Sequence, residues 1–369
     1  MNKKILRITP IIIGVLLVGA LSSCVYQRLP KFGALPKGER KERILASPNY
    51  RDNEFKNLDS IPEFTGSIIV GWTRMALKKK DNPRPKNPVP SVKTDLKDLD
   101  VDVDLVVWLG HSSYYFHKNG KRFLFDPVLS KRASPFPLVN RAFKGTNIYT
   151  VDDIPFIDYL LISHDHWDHL DYPTVKGLKD KIGFVVVPLG VGAHFERWGF
   201  AKEKIHELDW WDSVQINENV VLHALPALHY SGRSTKRNQT LWTSYGIISS
   251  ALKLYFSGDS GYGTHLKMAG DTFGGFDIAF LDFGQYNEAW RWIHKLPEEI
   301  VLAANDLNAT TIFPKHMGKF SQAYHSWDDP FIRTVEASEG QPYILIMPIP
   351  GEVISLDNPK QYISGWWKR

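Results

Sequence analysis

From about residue 100 onward, apolar and polar positions alternate in short runs separated by turn-forming residues. Such alternation marks half-buried strands, and the longer 3.6-residue pattern marks helices. The first alternating run covers 101–107, and 114–116 with 122–125 read as hairpin arms. Further strands are predicted at 185–187, 220–225, 252–256, 278–280, 311–313 and 343–347. Helical stretches follow Pro173 and run from Pro297 to about Ala304. Strands interleaved with helices predict an α/β fold. Upstream the pattern is irregular and punctuated by Pro30, Pro36, Pro48, Pro62 and the series Pro83, Pro85, Pro88, Pro90. Residues 24–60 are read as a tether. Residues 61–369 are read as one domain, with 61–100 packed against it.

The first 23 residues follow a different pattern. Lys3, Lys4 and Arg7 precede an apolar run at 11–18, and small residues lead to Cys24. This is an export leader rather than part of the fold. It resembles a bacterial lipoprotein signal, with Cys24 lipidated and becoming the first mature residue. The rival reading is an uncleaved anchor, for which 5–25 is marginally long enough. Both place the domain outside the cytoplasm. Val25, in place of an aspartate, favours the outer membrane in a two-membrane bacterium. Cys24 is the only cysteine, so no internal disulfide can form. A chain 43% hydrophobic can bury an ample core. Three of its five net positive charges lie in the leader. The remainder is too weak to argue for a nucleic-acid partner. The cluster Lys78, Lys79, Lys80, Arg84, Lys86 suits anionic headgroups or a solvated loop. A homodimer stays open.

The chemistry concentrates in Ser163-His164-Asp165-His166-Trp167-Asp168-His169, directly after the apolar Tyr159-Leu160-Leu161-Ile162. Residues two apart on a helix point in different directions, so this is no helix face. At a strand end the same spacing aims the side chains into one cleft. Imidazole and carboxylate suit zinc or a similar divalent ion. Four donors at this density suggest two metals, with His164 and His166 on one ion and Asp168 and His169 on the other. Asp165 alternates away and reads as a supporting or turn residue. His229, Asp259 and His316 each follow a predicted strand, Asp259 on a glycine-flanked turn. His223 is mid-strand and reads as a core or cross-strand residue. His117, His194, His206, His265 and His325 read as structural or surface residues.

The order H-x-H-x-D-H, His, Gly-Asp, His resembles the metallo-β-lactamase superfamily. Arg132-Ala133-Ser134-Pro135 and Leu208-Asp209-Trp210-Trp211 narrow this. With them the chain resembles N-acylphosphatidylethanolamine-hydrolysing phospholipase D and its bacterial relatives, from about Asn82 onward. The resemblance implies a four-layer αββα sandwich. It implies one zinc on His164, His166 and His229, a second on Asp168, His169 and His316, and Asp259 bridging both. His294-Lys295-Leu296-Pro297-Glu298-Glu299 is similar to a His-x-x-Pro-Glu-Glu segment whose histidine reaches the reaction centre. His111 reads as a supporting or structural residue. Trp290 and Trp292 flank His294 and suit a lipid groove.

Two such ions (zinc, or another divalent metal) can activate a shared water. The expected activity is therefore hydrolysis of a phospholipid, N-acylphosphatidylethanolamine, to N-acylethanolamine and phosphatidic acid. Asp168, Asp259 and His294 would be the catalytic residues. A lactone or carboxylic-ester hydrolase could use the same metals. A redox di-iron protein would want more carboxylate in the first run. A non-enzymatic lipid-binding lipoprotein would gain little from an open two-metal site.

Overall fold

A computed structural model of the chain describes residues 25–62 and 82–368. Two twisted sheets face each other. The first orders its strands β16-β3-β4-β5-β6-β7-β8. These are β3 (Leu105–Gly110), β4 (Ser113–Lys118), β5 (Lys121–Phe125), β6 (Ile157–Leu161), β7 (Ile182–Pro188), β8 (Ile205–Leu208) and β16 (Val353–Ser355). The second orders them β17-β15-β14-β13-β12-β11-β10-β9. They are β9 (Ser213–Asn217), β10 (Val220–Leu225), β11 (Ser244–Ile248), β12 (Lys253–Phe256), β13 (Phe276–Asp282), β14 (Ala309–Lys315), β15 (Ile344–Met347) and β17 (Tyr362–Ile363).

The two sheets repeat one plan. In each, an antiparallel meander (β3-β4-β5; β10-β11-β12) turns into a parallel run (β5-β6-β7-β8; β12-β13-β14-β15). Parallel strands require crossovers, and these supply the outer helices. Helices α2 (Tyr172–Leu178) and α3 (Gly192–Arg197) cross on the first sheet. Helices α4 (Thr264–Phe273), α5 (Ile300–Asp306) and α6 (Asp329–Ala337) cross on the second. One apolar cluster fills the space between the sheets, with Phe116, Phe125, Phe256 and Phe280 at its centre, and continues under α4 to α6. A separate cluster lies under α2 and α3, with Val175, Leu178 and Phe195. The layering is αββα, as the resemblance implied. Parallel strands buried on both faces read as near-continuous apolar runs. For that reason alternation marked several strands only by their middles.

Residues 25–60, expected as a tether, are instead folded onto the domain. Helix α1 (Glu39–Ala46) and the hairpin β1 (Tyr50–Arg51) and β2 (Glu54–Phe55) bury Ile44 and Phe55. These pack with Leu189, Trp210, Leu241 and Trp242. Arg40 pairs with Glu196 and Glu207. The prolines break the segment into pieces too short for any periodicity to show. Of 61–100, Val89 and Leu96 are buried in the two large clusters. Cys24 and Lys78 to Lys80 lie outside the described residues. No helix among the described residues is long and apolar enough to cross a membrane.

Candidate metal centre

The parallel plan brings the carboxyl ends of both strand sets to one edge of the sandwich, where such sheets form their clefts. Strand β6, buried at every position but Asp158, delivers the histidine run there. A turn closes it at once, with the His169 and Leu170 amides donating to the His166 carbonyl at 3.2 and 2.8 Å. Asp171 then caps α2 by accepting from the Thr174 amide. His229 follows β10, Asp259 follows β12 and His316 follows β14. Gly258 sits at φ +56°, and a Cβ there would lie 2.6 Å from the Thr243 carbonyl oxygen. Only glycine fits that turn, and Asp259 is aimed by it. His111 and His316 are held at φ 56° and 66°, a strained region for such residues. They stabilise each other: the His111 amide donates to the Met317 carbonyl and the His316 amide to the His111 carbonyl.

The donors converge as two groups. In the first, His166 Nδ1 lies 2.8 Å from His164 Nε2 and 3.2 Å from His229 Nε2. In the second, His316 Nε2 lies 3.1 Å from Asp168 Oδ2, and His169 Nε2 lies 3.5 Å from the same oxygen. Asp259 Oδ2 stands between them. It is 3.0 and 3.1 Å from His169 and His316 Nε2, and 4.0 and 3.9 Å from His164 and His229 Nε2. Every member except His166 is buried, and His166 is half-buried.

The far side of the rings fixes which nitrogen is free. His169 Nδ1 donates to Asp126 Oδ2 at 2.7 Å and His316 Nδ1 to Asp282 Oδ1 at 3.2 Å. His229 Nδ1 donates to the Ile293 carbonyl at 3.1 Å. Each contact puts a proton on Nδ1 and aims Nε2 inward, the usual support of a metal-bound imidazole. Among the described residues, the buried His169 Nε2 and Asp259 Oδ1 have no hydrogen-bond partner. Buried polar atoms without partners are costly. A cation among these donors would satisfy them, so the residues present fit a divalent metal centre.

The two groups differ in charge. Burial, reinforced by neighbouring imidazoles, pushes His164 and His229 well below the usual histidine range, and burial takes His166 to about 4. Burial also opposes charge on His169 and His316. There Asp259, with Asp168 and Asp126 or Asp282, outweighs it: His316 rises to about 9 and His169 well above its ordinary value. Protons on these two imidazoles thus balance the carboxylates where a cation would.

All seven residues expected to bind metal meet at this centre, and His294 meets them. Its ring centroid lies 5.1 Å from that of His229 and 5.0 Å from that of His316, and its Nδ1 is 2.8 Å from Asp282 Oδ2. His111 Nε2 reaches Asp168 Oδ2 at 2.9 Å. Asp165 is tied to the Gly232 amide, Thr240 and His194 and takes no part in either group. Trp292 is exposed, and Trp290 donates to the Gln285 carbonyl. Asp126 and Asp282 had no assigned role in the sequence. Their signal was present, a carboxylate ending an apolar strand in Phe123-Leu124-Phe125-Asp126 and Phe280-Leu281-Asp282.

A family model described as a beta-lactamase superfamily domain matches residues 121–317, just over half of the chain. The Mycobacterium tuberculosis protein Rv0906 is 37% identical over 331 residues, covering 87% of this chain and 88% of that protein. The N-acyl-phosphatidylethanolamine-hydrolyzing phospholipase D 1 of Caenorhabditis elegans is 30% identical over 231 residues, 58% of this chain and 63% of that one. Among solved structures, Igni18, a metallo hydrolase from Ignicoccus hospitalis, shares the fold. It is 17% identical, with TM-score 0.54 over 70% of this chain and 100% of that one. The chain therefore belongs to the metallo-β-lactamase superfamily and carries the buried donor set of a metal-dependent hydrolase.

Proposed function

We propose that the protein is a binuclear zinc phosphodiesterase that hydrolyses a phospholipid, with N-acylphosphatidylethanolamine as the leading substrate. The observation that carries this reading is Asp259 Oδ2 set between two complete donor groups. His164, His166 and His229 would hold one metal, Asp168, His169 and His316 the other, with Asp259 shared. When bound, the two ions would supply Lewis acidity and a water activated near neutral pH. The similarity to the nematode phospholipase D supports the substrate class.

The chain's own groups do the remaining work. His294 spends Nδ1 on Asp282, which leaves Nε2 to hold a phosphoryl oxygen or pass a proton to the leaving group. Asp282 fixes both His294 and His316, so one carboxylate sets the reacting histidine and a metal donor in register. His111 braces Asp168 through Oδ2. Burial of every member but His166 limits bulk water and strengthens each electrostatic contact. The leader and Cys24 support export as a lipoprotein held at the outer membrane, beside such a substrate.

The test is metal analysis of protein purified without chelator, followed by assay on a panel of phospholipids, lactones and carboxylic esters. About two zinc per chain and release of N-acylethanolamine are expected. Turnover confined to lactones or esters overturns the substrate assignment, and full activity without metal overturns the mechanism.

A further inference from the structure

The loop between β5 and β6 contains Pro135-Phe136-Pro137-Leu138-Val139. Its apolar tip points into solvent: Leu138 is 88% exposed, Phe136 55% and Val139 46%. Charged or hydrogen-bonding side chains normally occupy such a tip, and clustered exposed apolar groups mark a surface that is covered in use. The tip is also anchored. Tyr26 stacks on Phe136 with ring centroids 5.7 Å apart, and Lys31 Nζ donates to the Pro135 carbonyl at 2.7 Å. Val25 and Leu29, on the same strip as Tyr26, are exposed as well.

We propose that this tip, with the adjoining strip at 25–29, is a docking surface that inserts into an anionic lipid bilayer. Charge identifies the occupant. Residues 127–150 hold Lys131, Arg132, Arg141 and Lys144 and no acid. Residues 25–38 add Arg28, Lys31 and Lys37, again with no acid. Apolar side chains ringed by cations are the composition of an interfacial membrane site, in which the apolar groups enter the headgroup boundary and the cations meet anionic lipid. The chain outside the described residues supports the same occupant, because Cys24, read as the lipidated residue, directly precedes the strip at Val25.

The surface lies at the edge of the sandwich that carries the metal centre. Tyr26 meets Phe32 edge-on at 5.4 Å, and Phe32 meets Trp167, inside the histidine run, at 5.1 Å. Docking here turns the mouth of the centre toward the bilayer. The inference goes beyond the phospholipase reading, since insertion requires no turnover.

The experiment uses the full chain in a Cys24→Ser background, so that one new cysteine carries an environment-sensitive fluorophore. Leu138→Cys reports the tip. Phe156→Cys, exposed at the opposite end of β6, is the control. Each is reconstituted in phosphatidylethanolamine vesicles with or without phosphatidylglycerol, containing a lipid-borne quencher. The probe at 138 is expected to shift to the blue and to be quenched several-fold more than the probe at 156. Lys131→Glu with Arg141→Glu is expected to reduce that quenching in phosphatidylglycerol vesicles only. Equal quenching at both positions, or failure to float with vesicles, overturns the proposal. A blue shift without lipid quenching also overturns it, because the tip is then covered by protein.

Discussion

The two donor groups of the centre are built from the same side chains but answer different electrostatic problems. His164, His166 and His229 form an uncharged group whose imidazoles burial keeps neutral. Asp168, His169 and His316, with Asp259, form a group in which carboxylates force protons onto the imidazoles. A metal entering the first group meets free lone pairs, whereas one entering the second must displace protons. A donor list therefore does not fix affinity; the charges behind the donors do. The first position should fill across a broad pH range, and the second should depend on pH.

The harshest way to break this comparison is to remove the shared oxygen. Asp259→Ala is expected to empty both positions and abolish turnover, as read by elemental analysis and a phospholipid assay. Loss of one equivalent only would mean that Asp259 serves a single group. His294→Ala sharpens it from the other side. Both metals should remain, while kcat and kcat/KM fall together by about 10²–10⁴-fold. If a metal is lost as well, His294 is a donor and the count of seven is wrong.

Smaller changes should separate the groups. Asp126→Asn leaves all seven donors but weakens the carboxylate that fixes His169. Affinity at the second position is expected to drop about 10–100-fold, with the first unchanged. Competitive chelation would resolve the two steps. Acid titration is the mildest probe. His316 loses its proton only near pH 9 in the metal-free protein, so protons compete below that value and recede above it. Because His169 and His316 both carry displaceable protons, metal affinity at the second position should rise with pH by about a hundredfold per unit up to that range. The first should stay flat down to about pH 4, where His166 begins to charge. Parallel slopes for both positions would remove the distinction drawn here.

The same contrast explains what the sequence disclosed. Four donors in six residues are legible because local spacing alone brings them together. His229, Asp259 and His316 were legible because each ends a strand, though their meeting depends on the order of strands in the second sheet. Asp126 and Asp282 were missed for a related reason. Their function is to hold another residue's ring, and the partner, His169 or His316, is 43 or 34 positions away. The alternation of β3, β10, β12 and β14 was readable, but β8, β9 and β11 were not picked out. The folding of 25–60 was hidden because its apolar anchors, Ile44 and Phe55, are isolated among polar and proline residues.

Asn57 gives that N-terminal segment a further significance. Its side chain donates to the His229 carbonyl at 2.9 Å and accepts from the His229 amide at 3.1 Å, and its Oδ1 also takes the Trp242 indole at 3.0 Å. The first described stretch therefore clasps a donor that lies 172 residues later in the sequence. The second group is completed later still in the sequence, by His316. A chain that stops short of residue 316 lacks a donor of the second group. Cutting away everything before residue 61, as a domain boundary there would invite, leaves His229 complete in sequence but without its clasp.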